Sequence, residues 1–121
     1  MENSRSLLID VLKILPEHVV CYVQAPSLED DVFLKMTSKT EYDYYSLIHL
    51  DKTNKEILIR QILSHSIDKY FQNIQLKLND KLLFEGYDGI EFGIISNSIN
   101  IPEWFINEYI IKEGCIISKD W

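Results

Sequence analysis

His18, His49 and His65 are the only histidines, and Cys21 and Cys115 the only cysteines. Nucleophilic catalysis needs a thiol or hydroxyl with a base in hydrogen-bond reach. His18 opens the run that contains Cys21, but residues three apart in a regular strand point to opposite faces. His49 alternates with Ile48 and Leu50, and His65 falls on the polar side of a helical pattern. No G-x-S-x-G or other nucleophile signature occurs. C-x-x-C, H-x-x-H and H-E-x-x-H are also absent, so no metal or cofactor is expected. Asp80, Glu85, Asp88 and Glu91 offer oxygens for Ca²⁺, yet the full calcium-loop pattern is missing, and Asp88-Gly89 is a good turn pair. Gly86, Gly89 and Gly93 lack the Lys-Ser/Thr that would make a phosphate loop. Glu85 and Glu91 would act as a glycosidase pair only in a pocket, with their carboxyls about 5–9.5 Å apart. No catalytic set emerges, and the expectation is that the protein is not an enzyme.

What remains is aromatic residues beside acids. Residues 82–111 contain no Lys or Arg, but hold Glu85, Asp88, Glu91, Glu103 and Glu108 among six aromatics. A second cluster is Glu41-Tyr42-Asp43-Tyr44-Tyr45. Tyr and Trp serve as interface anchors, with apolar bodies and polar tips, and neighbouring carboxylates pair with a partner's Lys or Arg. The plainer alternative puts the aromatics in the core and the acids in solvent. On residues 102–112, Phe105, Ile106, Tyr109 and Ile110 make a buried stripe that leaves Trp104 and Glu108 on a flank. The candidate contact residues are therefore Asp43, Tyr44, Glu85, Tyr87, Asp88, Glu91, Trp104 and Glu108.

Composition narrows the partner. The chain of 121 residues carries 19 acids against 12 bases, a net charge of −7. The excess is spread over both halves, so it is no acidic tail. An acidic surface argues against nucleic acid, which needs clustered Lys and Arg, and favours a basic protein. Two cysteines inside apolar runs read as buried free thiols and not as a disulfide scaffold. The N-terminal residues do not read as a signal peptide, and no apolar window is long enough to span a membrane. The expected setting is the cytoplasm. There are 18 isoleucines against one alanine, which suits pleated surfaces and leans weakly towards strands.

The positioning elements follow from periodicity. Residues 5–15 show a helical stripe, with Ser4 or Ser6 as cap, Asp10 and Lys13 opposite the stripe, and Pro16 as the stop. Residues 18–23 read as a buried strand. Residues 27–37 fit a helix capped from Ser27 or the first strand of a hairpin whose second is 43–50, and the hairpin is favoured. Thr53-x-x-Glu56 is a capping box that opens a helix running to about residue 72. Residues 74–79 alternate strictly and lead into strands at 82–85 and 90–95, with a turn at Gly86–Gly89. Pro102 opens a helix to about Lys112, Gly114 takes the left-handed exit, and residues 115–118 form a last strand.

This pattern predicts a single α+β domain with a mainly antiparallel sheet of five to seven strands under two or three helices. In size, charge and lack of a catalytic set the chain is similar to the small acidic bacterial immunity proteins. That resemblance implies an inhibitor that neutralises a basic toxin nuclease by occluding its active site, as a monomer or homodimer. Two other classes stay open. One is a small-ligand or hydrolytic domain using His49, Asp51 or the Glu85/Glu91 pair. The other is a structural homo-oligomer built through a sheet edge.

Overall fold

The structure, a computed structural model, describes residues 6–42 and 44–121. Helix α1 (Leu7–Ile14) starts at Ser6, whose Oγ accepts the Ile9 N–H. The alternative cap, Ser4, lies outside the described residues. Asp10 was expected on the solvent side but is only 5 % exposed. Its carboxylate accepts a hydrogen bond from the Tyr109 hydroxyl, so a second helical segment covers what the stripe pattern left as the polar face. Strand β1 (Val19–Gln24) buries Val19, Cys21 and Val23 and leaves Val20, Tyr22 and Gln24 half-buried on its other side. The expected buried strand is thus fully buried on one face and half-buried on the other.

The favoured hairpin at 27–37 gives way to helix α2 (Asp31–Met36). Asp30, not Ser27, is the cap, and its Oδ1 accepts the Phe33 N–H at 2.8 Å. The same carboxylate takes Gln61 Nε2 at 2.9 and 3.1 Å, and the Phe33 ring lies 5.5 Å from that of Phe71. These tertiary contacts decide a segment whose local preference was divided. Only β2 (Ser38–Lys39) remains extended, paired with β3 (Ser46–Leu50). Helix α3 (Lys52–His65) is capped two residues before the expected Thr53, with Asp51 Oδ1 accepting the Asn54 N–H at 2.7 Å. It ends at Ser66, in the left-handed region at φ 52°. The break feeds a 3-10 turn (Ile67–Tyr70) that returns Ile67 and Phe71 to the core and leaves Leu63 65 % exposed.

Strands β4 (Asn73–Leu78), β5 (Lys81–Tyr87) and β6 (Phe92–Ile95) form the expected antiparallel meander. Asn79 and Asp80, at φ 52° and 65°, make the two-residue connection whose positive φ values match strand twist. β5 runs on through Gly86, so the turn into β6 falls at Asp88, Gly89 and Ile90, all with positive φ. Two backbone bonds pin that turn: Asp88 N–H to Gln72 O at 3.1 Å and Gly89 N–H to Phe71 O at 2.8 Å. Helix α4 begins as Glu103–Phe105, capped at Pro102, and widens into a π-helical turn over Ile106–Ile110. Glu113, not Gly114, takes the left-handed exit at φ 66°. Glu113 N–H reaches Ile110 O and Gly114 N–H reaches Tyr109 O, the paired bonds of a Schellman ending. Strand β7 (Cys115–Ile117) then runs parallel to β6.

The seven strands lie in the order β2-β3-β1-β4-β5-β6-β7, antiparallel except for the last pair. The α+β architecture is as expected, with α2 as the additional helix. Buried residues of α1 to α4 share one cluster with the inward set of strand residues, such as Val19, Ile48, Ile74 and Phe84. The helical layer thus occupies one side of the sheet. Gly93 exists for that packing: a Cβ there would lie 2.5 Å from Phe84 Cζ. Gly93→Ala is expected to cost about 1–3 kcal/mol by overpacking. Urea unfolding should show a lower midpoint with unchanged slope, and Phe84→Leu in the same chain should recover part of the loss.

Candidate functional site

The side of the sheet away from the helices carries the candidate site. Alternation puts Tyr22 on β1, Asn73, Gln75 and Lys77 on β4, and Glu85 and Tyr87 on β5 on this side. Register then makes them neighbours: Tyr22 stands opposite Gln75, Gln75 opposite Glu85, and Asn73 opposite Tyr87. Beyond Tyr87 the row continues to Phe92 and Ile94 on β6.

Glu85 is the hub. Its Oε2 accepts Asn73 Nδ2 at 3.0 Å and Gln75 Nε2 at 3.2 Å, and Tyr87, two residues on, lies on the same face of β5. Asn73 in turn accepts the Tyr45 hydroxyl at 2.8 Å. A carboxylate held by two amide donors keeps its orientation, while lone-pair capacity remains for an incoming cation. Burial and the adjacent Glu85 carboxylate raise the Tyr87 hydroxyl to about 12, and the same two causes raise Tyr45. Both phenols therefore stay neutral donors throughout the physiological range.

The connection between β2 and β3 extends this surface. Thr40 Oγ1 donates to Tyr42 O at 2.9 Å and accepts the Tyr42 N–H at 2.8 Å. That closed loop sets the Tyr42 ring edge-to-face against Tyr22, with centroids 5.8 Å apart. A cavity of about 470 Å³ opens between them, lined by Tyr22, Glu41, Tyr42, Tyr45, Gln75 and Lys77.

The eight residues singled out from the sequence do not form one patch. Glu85 and Tyr87 meet at the hub just described. Asp88 and Glu91 lie exposed in the following turn. Tyr44 is 80 % exposed beside the cavity loop, at φ 71°. Asp43 lies outside the described residues. Trp104 and Glu108 belong to α4 in the helical layer, apart from the hub. The Trp104 ring contacts Phe105 at 5.9 Å, and Glu108 pairs with Lys112 at 3.4 Å.

Tyr22, Asn73, Gln75 and Lys77 were missed as site residues. The signal for three of them was present: the polar half of the strict alternation at 74–79 is a row on one face, to which Asn73 adds by period two. Tyr22 was hidden in a run that read as wholly buried.

The residues weighed for catalysis lie as follows. Cys21 and Cys115 are buried and free, and burial pushes both thiols up, Cys115 to about 12. His18, at φ 68°, precedes β1, and His18, His49 and His65 are all exposed. Asp51 spends its carboxylate on the α3 cap. Among the described residues no group of three or more His, Cys, Asp or Glu could hold a metal ion, and no helix is long and apolar enough to cross a membrane.

A raised phenol pKa has a fixed sign in stability. The folded state holds the proton more tightly than the unfolded chain, so this contribution is complete below about pH 10 and is lost as pH rises towards 12. Alkaline unfolding curves should show stability falling across that interval, and Tyr87→Phe should flatten the fall. Absorbance titration of tyrosinate should show the last phenol to ionise disappearing in the same variant. No family model, curated protein or solved structure matches this chain.

Proposed function

We propose that the protein is a binding module whose helix-free sheet face docks a basic protein partner. In this reading it is an inhibitor of immunity type that occludes the cationic active site of a toxin-like nuclease in the cytoplasm. The observation that carries the reading is the hub: Glu85 fixed by Asn73 and Gln75, beside Tyr87, in the middle of an uncovered face rich in tyrosine. A pre-oriented carboxylate flanked by rigid aromatics loses little entropy on pairing with Lys or Arg, which is what an interface anchor needs. The net charge of −7 supports attraction of a basic partner and opposes nucleic acid. Two buried free thiols suit a reducing compartment.

The test is co-purification and calorimetry with the basic product of the adjacent gene. A complex is expected whose affinity falls as salt rises. Glu85→Gln should weaken it by about 1.5–3 kcal/mol and Tyr87→Ala by about 2 kcal/mol or more. Trp104→Ala, on the helical side, should leave affinity within about 0.5 kcal/mol of the parent. Absence of a complex, or a complex indifferent to both Glu85 and Tyr87, ends this reading.

A further inference from the structure

We infer that the cavity between β1, β4 and the β2–β3 loop is a receptor for a guanidinium group, an arginine of the basic partner, and that Lys77 is the resident cation this arginine displaces. The inference rests on the protein-binding reading above and supplies the chemistry of its anchor. Three of the six lining residues are tyrosines, and a fourth, Glu41, is an exposed acid. The Tyr22 and Tyr42 rings stand at 67° to each other, so they wall the cavity and do not close it by stacking. A cation within about 6 Å of such a ring face is attracted by its quadrupole.

One cation already demonstrates this. Lys77 Nζ lies 4.9 Å from the Tyr22 ring centroid. Register explains the reach: Lys77 pairs with Val20 and is thus the diagonal neighbour of Tyr22, within range of a long side chain. Among the described residues, the contact recorded for the Lys77 ammonium is this ring. A contact of that kind on an open surface is weak, and the flexible stem lets Lys77 leave.

An arginine gains more in the same seat. Its planar guanidinium stacks on a tyrosine ring while its fork of donors reaches outward, which a lysine ammonium cannot do. Two acceptors wait at the walls: the Glu41 carboxylate, and Gln75 Oε1, whose amide nitrogen is already committed to Glu85. Glu85 adds its negative charge from behind Gln75. Tyr45 lines the cavity and donates to Asn73, and Asn73 donates to Glu85, so the cavity and the hub are parts of one bonded row.

The test is a nuclear magnetic resonance titration of the free protein with three probes: Nα-acetyl-arginine amide, Nα-acetyl-lysine amide and the neutral isostere Nα-acetyl-citrulline amide. Arginine should move the Tyr22, Tyr42 and Tyr45 ring signals and the Gln75 and Lys77 amides, lysine less, citrulline not at all. Lys77→Gln should tighten arginine binding about threefold by removing the competitor. Lys81→Gln, which changes net charge equally but lies outside the cavity, should not. Tyr42→Ala, at an exposed position, should abolish the shifts. Arginine shifts that fall elsewhere, or equal shifts with citrulline, overturn the receptor. Equal behaviour of the Lys77 and Lys81 variants overturns the displaced-cation role. These readouts need no partner, so failure here leaves partner binding standing. Conversely, probe binding without any complex overturns the partner reading and leaves a cation receptor.

Discussion

Strand alternation in β1, β4 and β5 sends one set of side chains into the helical layer and the other to a face that no described helix covers. That one-sidedness is the constraint on which the rest depends. Four short helices supply apolar stripes for a single layer, so Val19, Ile48, Ile74, Leu76 and Phe84 meet Leu8, Val11, Leu12 and Leu58 in one cluster. The other face must then be acceptable to water without being wasted. It meets that demand with side chains that have both an apolar body and a polar tip, chiefly tyrosines, and with amides that bond to Tyr45 and to Glu85. A surface built in this way is only half-hydrated, which is the condition under which an ionic contact to another protein gains strength over the same contact in open water.

Buried polar contacts locate the helices on the sheet. Asp30 binds its own helix start and Gln61 of α3 with the same carboxylate, so a cap and an inter-helix contact are one object. The bond from the Tyr109 hydroxyl to Asp10 joins α4 to α1, with no cap involved. Each pair has one member that looks polar and therefore peripheral in the sequence. Removing one partner of such a contact costs more than its mean worth, because the other is left buried and under-bonded.

Much of the sheet was legible because it is coded locally. The alternation of Ile74, Leu76 and Leu78, the Asn79-Asp80 turn and the short final strand all arise from neighbours in sequence. Errors cluster where distant contacts decide. Residues 31–36 carry mixed preferences, and Phe71 and Gln61 choose the helix. The stripe of residues 58–71 is continuous on paper, but Ser66 in the left-handed region divides it. Gly114 has the right residue type for a helix exit, yet the π-helical turn adds a residue and shifts that exit to Glu113. Of the candidate site, Glu85 and Tyr87 were visible as an acid and an aromatic two residues apart in a strand. That Trp104 and Glu108 would lie on another layer was not, because sequence proximity says nothing about which side of a sheet a crossover helix returns on.

The Asp10–Tyr109 contact joins residues 99 positions apart. Closing a span of that length costs chain entropy that a two-residue hairpin such as Asn79-Asp80 never meets. The β4–β5–β6 meander therefore has the shortest route to native pairing, and the contact between the first and last helices has the longest. During synthesis this places completion of the core after emergence of α4. The uncovered face, built largely from the central strands, rests on shorter closures than the bond that fastens α1 to α4.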